Sequence, residues 1–176
     1  SPQLKPIAIE DLLGRPQAVI DTNTIKNFVV GQRVLITGAG GSIGQELSRQ
    51  IASFAPSHLT LIDNCEYNLY AVDMDVRREN TLLDIDAHIA DIRNSDRINQ
   101  IFKNDKPDIV FHAAALKHVP LVEMNPSEGI LTNVIGTRNV AEAALKVKAK
   151  AFVQISTDKA VNPTNIMGAS KRIGEY

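Results

Sequence analysis

The stretch over residues 34–51 constrains the fold more than any other part of this chain. It opens with an apolar run, passes through glycines at 38, 40, 41 and 44, and resumes with apolar residues at helical spacing. The apolar run predicts a buried parallel strand, and Leu47 and Ile51 share one face of the helix predicted after it. The local order is therefore strand, glycine turn, helix.

This order is typical of a dinucleotide-binding loop. The first N–H groups of the helix and the positive end of its dipole can hold a pyrophosphate, which glycines let approach the backbone closely. The spacing is Gly38-x-x-Gly41-x-x-Gly44, not the commoner Gly-x-Gly-x-x-Gly, and Gly40 adds a fourth glycine to the loop. A bare tight turn is the alternative. The predicted cofactor contacts in this loop are Gly38, Gly40, Gly41, Ser42, Ile43 and Gly44.

Length and composition bound the rest of the chain. With 176 residues, 44% of them apolar, and a net charge of -1, it can bury one sizeable core. The balanced charge gives no reason to expect a nucleic acid as partner. We also expect no metal. The single cysteine, Cys65, excludes an internal disulfide and is predicted to be a buried, inert thiol. No run of 18 apolar residues and no signal peptide occurs.

Strand and helix patterns alternate through the remainder of the sequence. Further strands are predicted at 58–62, 85–90, 108–115 and 151–155. Without hairpin signals between them, they predict an α/β fold, a Rossmann-type doubly wound parallel sheet with ligands at the carboxyl ends of its strands. Residues 32–176 are assigned to this dinucleotide-binding domain. Residues 1–31 are predicted to be a lead-in or linker that packs on the domain or joins it to something upstream, with a partly disordered arm as the alternative.

Residues at the predicted strand ends are candidate cofactor contacts. Asp63 can accept hydrogen bonds from the adenosine ribose and would repel a 2′-phosphate, which favours NAD over NADP; capping the next loop is its alternative role. Asp91 can accept from the adenine amino group or cap a turn, and Ile92 can pack on the ring. The small side chains of Ala113, Ala114 and Ala115 leave room for a cofactor.

The fourth predicted strand also carries a histidine. Because His112 lies within an apolar run, we interpret it as a core histidine rather than a catalyst. Lys117 and His118, on the loop beyond, are better placed to meet a ligand.

Taken together, these motifs resemble the extended short-chain dehydrogenase/reductase superfamily. More narrowly, the chain resembles the CapD-like polysaccharide-biosynthesis proteins, which are membrane-linked nucleotide-sugar 4,6-dehydratases. The narrower resemblance rests on two runs, Thr157-Asp158-Lys159-Ala160-Val161-Asn162-Pro163-Thr164-Asn165 and Met167-Gly168-Ala169-Ser170-Lys171-Arg172.

One position departs from the superfamily pattern. Extended dehydrogenases usually carry Tyr-x-x-x-Lys, whereas this chain has Met167-x-x-x-Lys171. A thioether cannot transfer a proton. The large membrane-linked members also carry methionine here, so we interpret it as a subgroup signature, with a pseudoenzyme as the alternative.

The resemblance implies a reaction and a role for each residue. The sugar of UDP-N-acetylglucosamine is oxidised at C4, loses water across C5 and C6, and regains the hydride at C6. Asp158 is implied as the acid and Lys159 as the base, which must be a neutral amine. Thr157 would bind the C4 oxygen, and Lys171 would bind the nicotinamide ribose and stabilise charge at O4. A solvated surface pair is the alternative for Asp158 and Lys159.

Two other functions stay open: a nucleotide-sugar 4-epimerase, and an NAD-binding module without chemistry. The chain starts without methionine and stops within a predicted helix, so we expect it to be part of a longer protein and inactive alone, truncated before the substrate-binding part. The resemblance also implies inner-membrane helices before Ser1, a cytoplasmic location for this domain, and pairing into a homo-oligomer.

Overall fold

Five parallel strands form the central sheet. The computed structural model describes residues 22–176, apart from the side chains of Thr22 and Asp158. The strand order across the sheet is β3-β2-β1-β4-β5. After β3 the chain therefore crosses back, and β4 lies beside β1 on the side away from β2. The predicted Rossmann-type fold is confirmed. The strands are β1 (Arg33–Thr37), β2 (His58–Asp63), β3 (Ile85–Ile89), β4 (Ile109–His112) and β5 (Ala151–Gln154).

Helices connect the strands and cover both faces of the sheet. A π-helical segment, Leu131–Gly136, joins two of them, and a short 3₁₀ turn, Asp158–Ala160, follows β5. The α-helices are α1 (Thr22–Val29), α2 (Ser42–Ser53), α3 (Glu66–Glu79), α4 (Ser95–Asp105), α5 (Val119–Met124), α6 (Pro126–Ile130), α7 (Thr137–Lys146) and α8 (Ile166–Ile173).

The core lies in two layers, one on each face of the sheet. Val34 and Ile36 of β1 pack with residues of α1, α2 and α3, whereas Leu35 packs on the other face with α4 and α7. Because a strand alternates its side chains between faces, burial on both faces requires the continuous apolar run that the sequence shows.

Helix α1 packs on the domain. Val29 is fully buried in the first core layer, and Ile25 packs against it. The rest of the predicted lead-in, residues 1–21, lies outside the described residues, and the boundary at residue 32 stays a prediction. None of the described helices is long and apolar enough to cross a lipid bilayer.

Candidate active site

The glycine loop between β1 and α2 is packed too tightly for side chains at three positions. A Cβ on Gly38, whose φ is +66°, would lie 2.6 Å from the Ala114 Cα. A Cβ on Gly44 would lie 1.9 Å from the Gly38 carbonyl oxygen, and one on Gly40 would lie 2.6 Å from the Asn68 Cβ. The loop can therefore keep this path only with glycine at these positions.

Helix α2 presents its first turn to this loop. Its first intrahelical bond runs from the Gln45 amide to the Gly41 carbonyl at 2.8 Å, so the amides of Ser42, Ile43 and Gly44 have no intrahelical acceptor. Such amides, at the positive end of the helix dipole, suit a phosphate oxygen. The arrangement fits the pyrophosphate that the sequence predicts here.

Asp63, at the carboxyl end of β2, is held against the loop by its own carboxylate. Oδ2 accepts a hydrogen bond from the Gly40 amide at 2.9 Å, and Oδ1 accepts one from the Cys65 amide at 2.9 Å. Each oxygen keeps acceptor capacity for a ribose hydroxyl. Asp63 thus performs the loop-capping role that sequence reasoning left open, and its ribose role stays a prediction.

A cleft of about 350 Å³ opens beside Asp63, where an adenosine would lie. Asp91 on its wall accepts from the Arg93 amide and guanidinium, at 2.9 and 2.6 Å. These hydrogen bonds hold the pKa of the Asp91 carboxyl below its ordinary value. Ile92 is buried, and Ala113, Ala114 and Ala115 line the cleft. The predicted adenosine contacts are therefore neighbours in space.

A second cleft, of about 340 Å³, joins the glycine loop to the predicted catalytic residues. Ser42 and Ile43 lie on one wall, and Thr157, Lys159 and Lys171 lie on another. Lys159 is exposed, and its amide approaches the Thr157 hydroxyl at 3.4 Å. Asp158 begins the 3₁₀ turn, and its side chain lies outside the described structure. Three of the four predicted catalytic residues are brought together.

Lys171 is the anchored member of this set. Its Nζ donates to the Ile155 carbonyl at 2.9 Å. Burial lowers the pKa of the Lys171 ammonium, and the carboxylate of Glu175 partly offsets this. Helix α8 is capped at its start by Asn165, whose Oδ1 accepts from the Gly168 amide at 2.7 Å. Met167 is buried one turn before Lys171 and lines the same cleft.

His112 has the core role that the sequence predicted. Its Nδ1 lies 2.6 Å from the Thr37 hydroxyl, and its Nε2 lies 2.9 Å from the Thr137 hydroxyl. Burial, helped by the charge of Lys171, lowers the pKa of His112 to about 3. The buried, neutral ring therefore ties β1 and β4 to α7.

Sequence reasoning missed the support that Asn133 gives to the site. This buried side chain accepts from the Leu116 amide at 2.9 Å and donates to the Leu116 carbonyl at 3.0 Å and to the Ser170 hydroxyl at 2.9 Å. It thus links the loop after β4 to the residue before Lys171. No local signal in the sequence assigns Asn133 these partners.

Two other details concern single side chains beside the clefts. Lys117, which the sequence placed near a ligand, donates to the Ser42 hydroxyl at 2.9 Å and adds positive charge at the start of α2. Cys65 is exposed, so the prediction of a buried thiol was wrong. The residue lies in the loop just before α3, at the rim of the cleft beside Asp63, and not within either core layer.

Fold and cleft together define a Rossmann-type protein with its ligand site at the point where the strand order reverses. The family model described as "Polysaccharide biosynthesis protein" matches residues 34–176. The chain belongs to this family, and the predicted resemblance to CapD-like proteins is confirmed.

Two relatives align along almost the whole chain. The probable polysaccharide biosynthesis protein EpsC of Bacillus subtilis is 45% identical over 98% of this chain and 29% of that protein. The capsular polysaccharide biosynthesis protein CapD of Staphylococcus aureus is 44% identical, with the same coverages of 98% and 29%. The chain thus spans less than a third of these relatives.

Three further relatives have different names. A UDP-N-acetylglucosamine 4,6-dehydratase (inverting) of Campylobacter jejuni is 34% identical over 80% of this chain and 41% of that protein. A UDP-glucose 4-epimerase of Rickettsia canadensis is 38% identical over 83% and 42%. The uncharacterized membrane protein MJ1061 of Methanocaldococcus jannaschii is 43% identical over 86% and 44%. Relatives of this chain therefore include both nucleotide-sugar dehydratases and epimerases.

Among solved structures, Pen from Bacillus thuringiensis superposes with a TM-score of 0.77 at 38% identity. The match covers 84% of this chain and 44% of Pen. The backbone described above is thus similar to part of an experimentally determined relative.

Proposed function

We propose that this chain carries the cofactor-binding and catalytic part of a nucleotide-sugar 4,6-dehydratase of surface-polysaccharide biosynthesis. One observation carries the proposal: a single cleft brings the start of α2 together with Thr157, Lys159 and Lys171. Phosphate-binding amides and two amines at one site suit the oxidation of a sugar beside a nicotinamide, followed by a proton transfer.

NAD is the cofactor that we assign to the two clefts, with NADP as the alternative. The close backbone contacts at Gly38, Gly40 and Gly44 support this fit, because a Cβ at any of them would meet neighbouring atoms. The Asp63 carboxylate beside the loop favours ribose hydroxyls over a 2′-phosphate. When bound, NAD would accept a hydride from sugar C4 and later return it to C6.

The residues of this chain would carry the proton transfers. Thr157 would hydrogen-bond the C4 oxygen, and the Lys171 ammonium would stabilise negative charge that develops there. Lys159, as a neutral amine, would take the C5 proton, which the C4 ketone makes acidic. Asp158, as a carboxylate, would take the proton that O4 loses on oxidation and then give it to the C6 hydroxyl, which leaves as water. Lys159 would return a proton to C5 as the hydride returns to C6. Met167, at the position of the superfamily tyrosine, contributes packing and no proton.

A 4-epimerase is the second candidate, because an epimerase is among the relatives. That reaction also oxidises C4 but needs no base at C5 and no acid at C6. Adjacent Asp158 and Lys159 therefore favour the dehydratase. A cofactor-binding module without chemistry is the third candidate, and the methionine at 167 is its support.

The activity of the whole protein belongs to the same proposal. We assign UDP-N-acetylglucosamine as substrate, with its pocket formed mostly beyond Tyr176, so residues 1–176 alone are expected to be inactive. The name of the relative MJ1061 supports a membrane anchor, which we place before Ser1 with this domain on the cytoplasmic side. A homo-oligomer completes the proposal.

The test uses the full-length protein that carries these residues, incubated with UDP-N-acetylglucosamine and NAD in deuterated water. Proton NMR of the sugar distinguishes the candidates directly. A 4-keto-6-deoxy product with deuterium at C5 is the expected result, because the C5 proton exchanges through the base. A C4 epimer without solvent deuterium would instead identify an epimerase. Bound cofactor with no turnover of any nucleotide sugar would support the module without chemistry.

A further inference from the structure

A second polar cluster lies at the opposite end of the sheet from the glycine loop. His58 opens β2, Asp86 lies in β3, and Asp105 ends α4. One nitrogen or oxygen atom from each residue lies within 4.8 Å of the other two. His58 and Asp105 are buried, whereas Asp86 is exposed. The cluster therefore joins three elements and is open to solvent on the Asp86 side.

The imidazole of His58 has one satisfied nitrogen and one unsatisfied nitrogen. Nδ1 lies 2.8 Å from the Asp84 carboxylate. Nε2 is buried and has no hydrogen-bond partner among the described residues, although Asp86 Oδ2 lies 3.5 Å away. A buried nitrogen without a partner is costly. In the neutral tautomer that donates Nδ1–H to Asp84, Nε2 carries a lone pair directed toward the Asp86 carboxylate.

This geometry is the one that a metal-binding histidine uses. In metal sites, the ring nitrogen that does not bind the metal commonly donates to a carboxylate, which fixes the tautomer and orients the ring. Asp84 stands in that position behind His58. A metal ion between Nε2 and the Asp86 carboxylate would satisfy both groups, as a proton on Nε2 also could.

The third carboxylate is also held in place. Asp105 Oδ2 accepts from the Thr60 hydroxyl at 2.9 Å and lies 3.0 Å from His88 Nε2. Two guanidinium groups close to the cluster, those of Arg33 and Arg77, donate to backbone carbonyls of residues 105 and 85 at 2.6 and 2.7 Å. These two hydrogen bonds therefore leave the Asp86 and Asp105 carboxylates available to a cation.

We propose that His58, Asp86 and Asp105 bind a divalent transition metal, with Zn²⁺ as the best match. One imidazole nitrogen, two carboxylates and a water molecule make a four-coordinate set that suits Zn²⁺. Mg²⁺ and Ca²⁺ prefer six or more oxygen ligands. The metal would link β2, β3 and the end of α4, so its role is structural and independent of the proposed reaction. The sequence predicted no metal, because the three residues are far apart along the chain.

The test begins with the chain carrying Cys65→Ser, which removes the exposed thiol as a competing zinc ligand. After treatment with EDTA, the protein is titrated with Zn²⁺ alone by calorimetry, and its thermal unfolding is followed with Zn²⁺, Mg²⁺ or EDTA. We expect one Zn²⁺ per chain and an unfolding midpoint about 4 °C higher or more, reversed by EDTA and absent with Mg²⁺. Co²⁺ should give the visible absorption of a tetrahedral site.

Variants separate the proposed site from surface binding. Asp86→Asn, at an exposed position, should fold normally and weaken Zn²⁺ binding about 10-fold or more. Asp96→Asn, an exposed aspartate at the start of α4, is the matched control and should bind like the parent. His58→Gln should also abolish the midpoint shift. Absence of stoichiometric Zn²⁺ binding, or equal binding by the two aspartate variants, would overturn the proposal.

Discussion

The loop after β1 and the loop after β5 face each other across one cleft, but they are built differently. The first is defined by backbone contacts so close that Gly38 and Gly44 cannot carry a Cβ. The second presents side chains, and Lys159 among them is exposed. The path of the first loop is therefore set by steric packing of the domain itself, whereas packing does not confine the Lys159 side chain on the second loop.

The largest predicted effect is the loss of turnover when Lys159 is replaced. In the full-length protein, Lys159→Ala should lower turnover about 10²- to 10⁴-fold, because the proposed elimination would lose its base. The unfolding midpoint should stay the same, since the side chain is exposed. Turnover by product NMR and thermal unfolding measure the two effects. Lys103→Ala, at an exposed position on α4, is the control; undiminished turnover in Lys159→Ala would remove Lys159 from the mechanism.

The opposite pattern is expected at Gly44. Gly44→Ala should lower the free energy of unfolding by about 3 kcal/mol and abolish NAD binding, because the new Cβ meets the Gly38 carbonyl at 1.9 Å. Gly41→Ala is the control for stability, since its Cβ would lie 3.3 Å from the same carbonyl oxygen. Denaturant unfolding and a cofactor titration check both. Equal stability of the two variants would show that the loop relaxes easily.

Asn133 tests how far packing stabilises the surroundings of the second loop, because its side chain ties the loop after β4 to Ser170, next to Lys171. Asn133→Ala should cost about 2 kcal/mol of unfolding free energy, because the amide and carbonyl of Leu116 lose their partner within the domain. Asn125→Ala removes an exposed bond to the Leu121 carbonyl and should cost less than about 0.5 kcal/mol. Denaturant unfolding measures both, and similar losses would argue against the Asn133 link.

The smallest expected effect is the pH dependence that comes from His112. Its folded pKa of about 3 lies below the ordinary 6.5, so the unfolded chain binds the proton more readily. The free energy of unfolding therefore keeps its full value above pH 6.5 and falls as the pH drops toward 3. The decrease between pH 6.5 and pH 5.5 is about 1 kcal/mol. His112→Gln should remove this slope, and the exposed His118→Gln should retain it. Denaturant unfolding of the parent and the two variants across this pH range measures the three slopes. Equal slopes in all three proteins would contradict the assignment of the pH dependence to His112.

The fold could be predicted because its signals are local. Each of the five predicted strands is present within a few residues of its predicted bounds, since apolar runs and glycine turns act over short stretches. Thr157, Lys159 and Lys171 were predicted together through the resemblance, and the structure places them in one cleft. Their catalytic roles stay predictions, as does that of Asp158.

Other features could not be predicted because their partners are distant in sequence. The exposure of Cys65 depends on where the loop before α3 meets the cleft. The bonds of Asn133 to Leu116 and Ser170 depend on how the π-helical segment lies against α8. The cluster at His58 requires the pairing of β2 with β3 and the docking of α4.

The sequence by itself determined the alternation of strands and helices, the glycine loop, and the choice of candidate residues at strand ends. These follow from side-chain periodicity and from the steric freedom of glycine, which are properties of neighbouring residues. Only the tertiary structure decided which of those residues meet, because the reversal of strand order after β3 places β4 beside β1. That reversal brings the loops after β1 and β5 to one cleft, and long-range packing alone produces it.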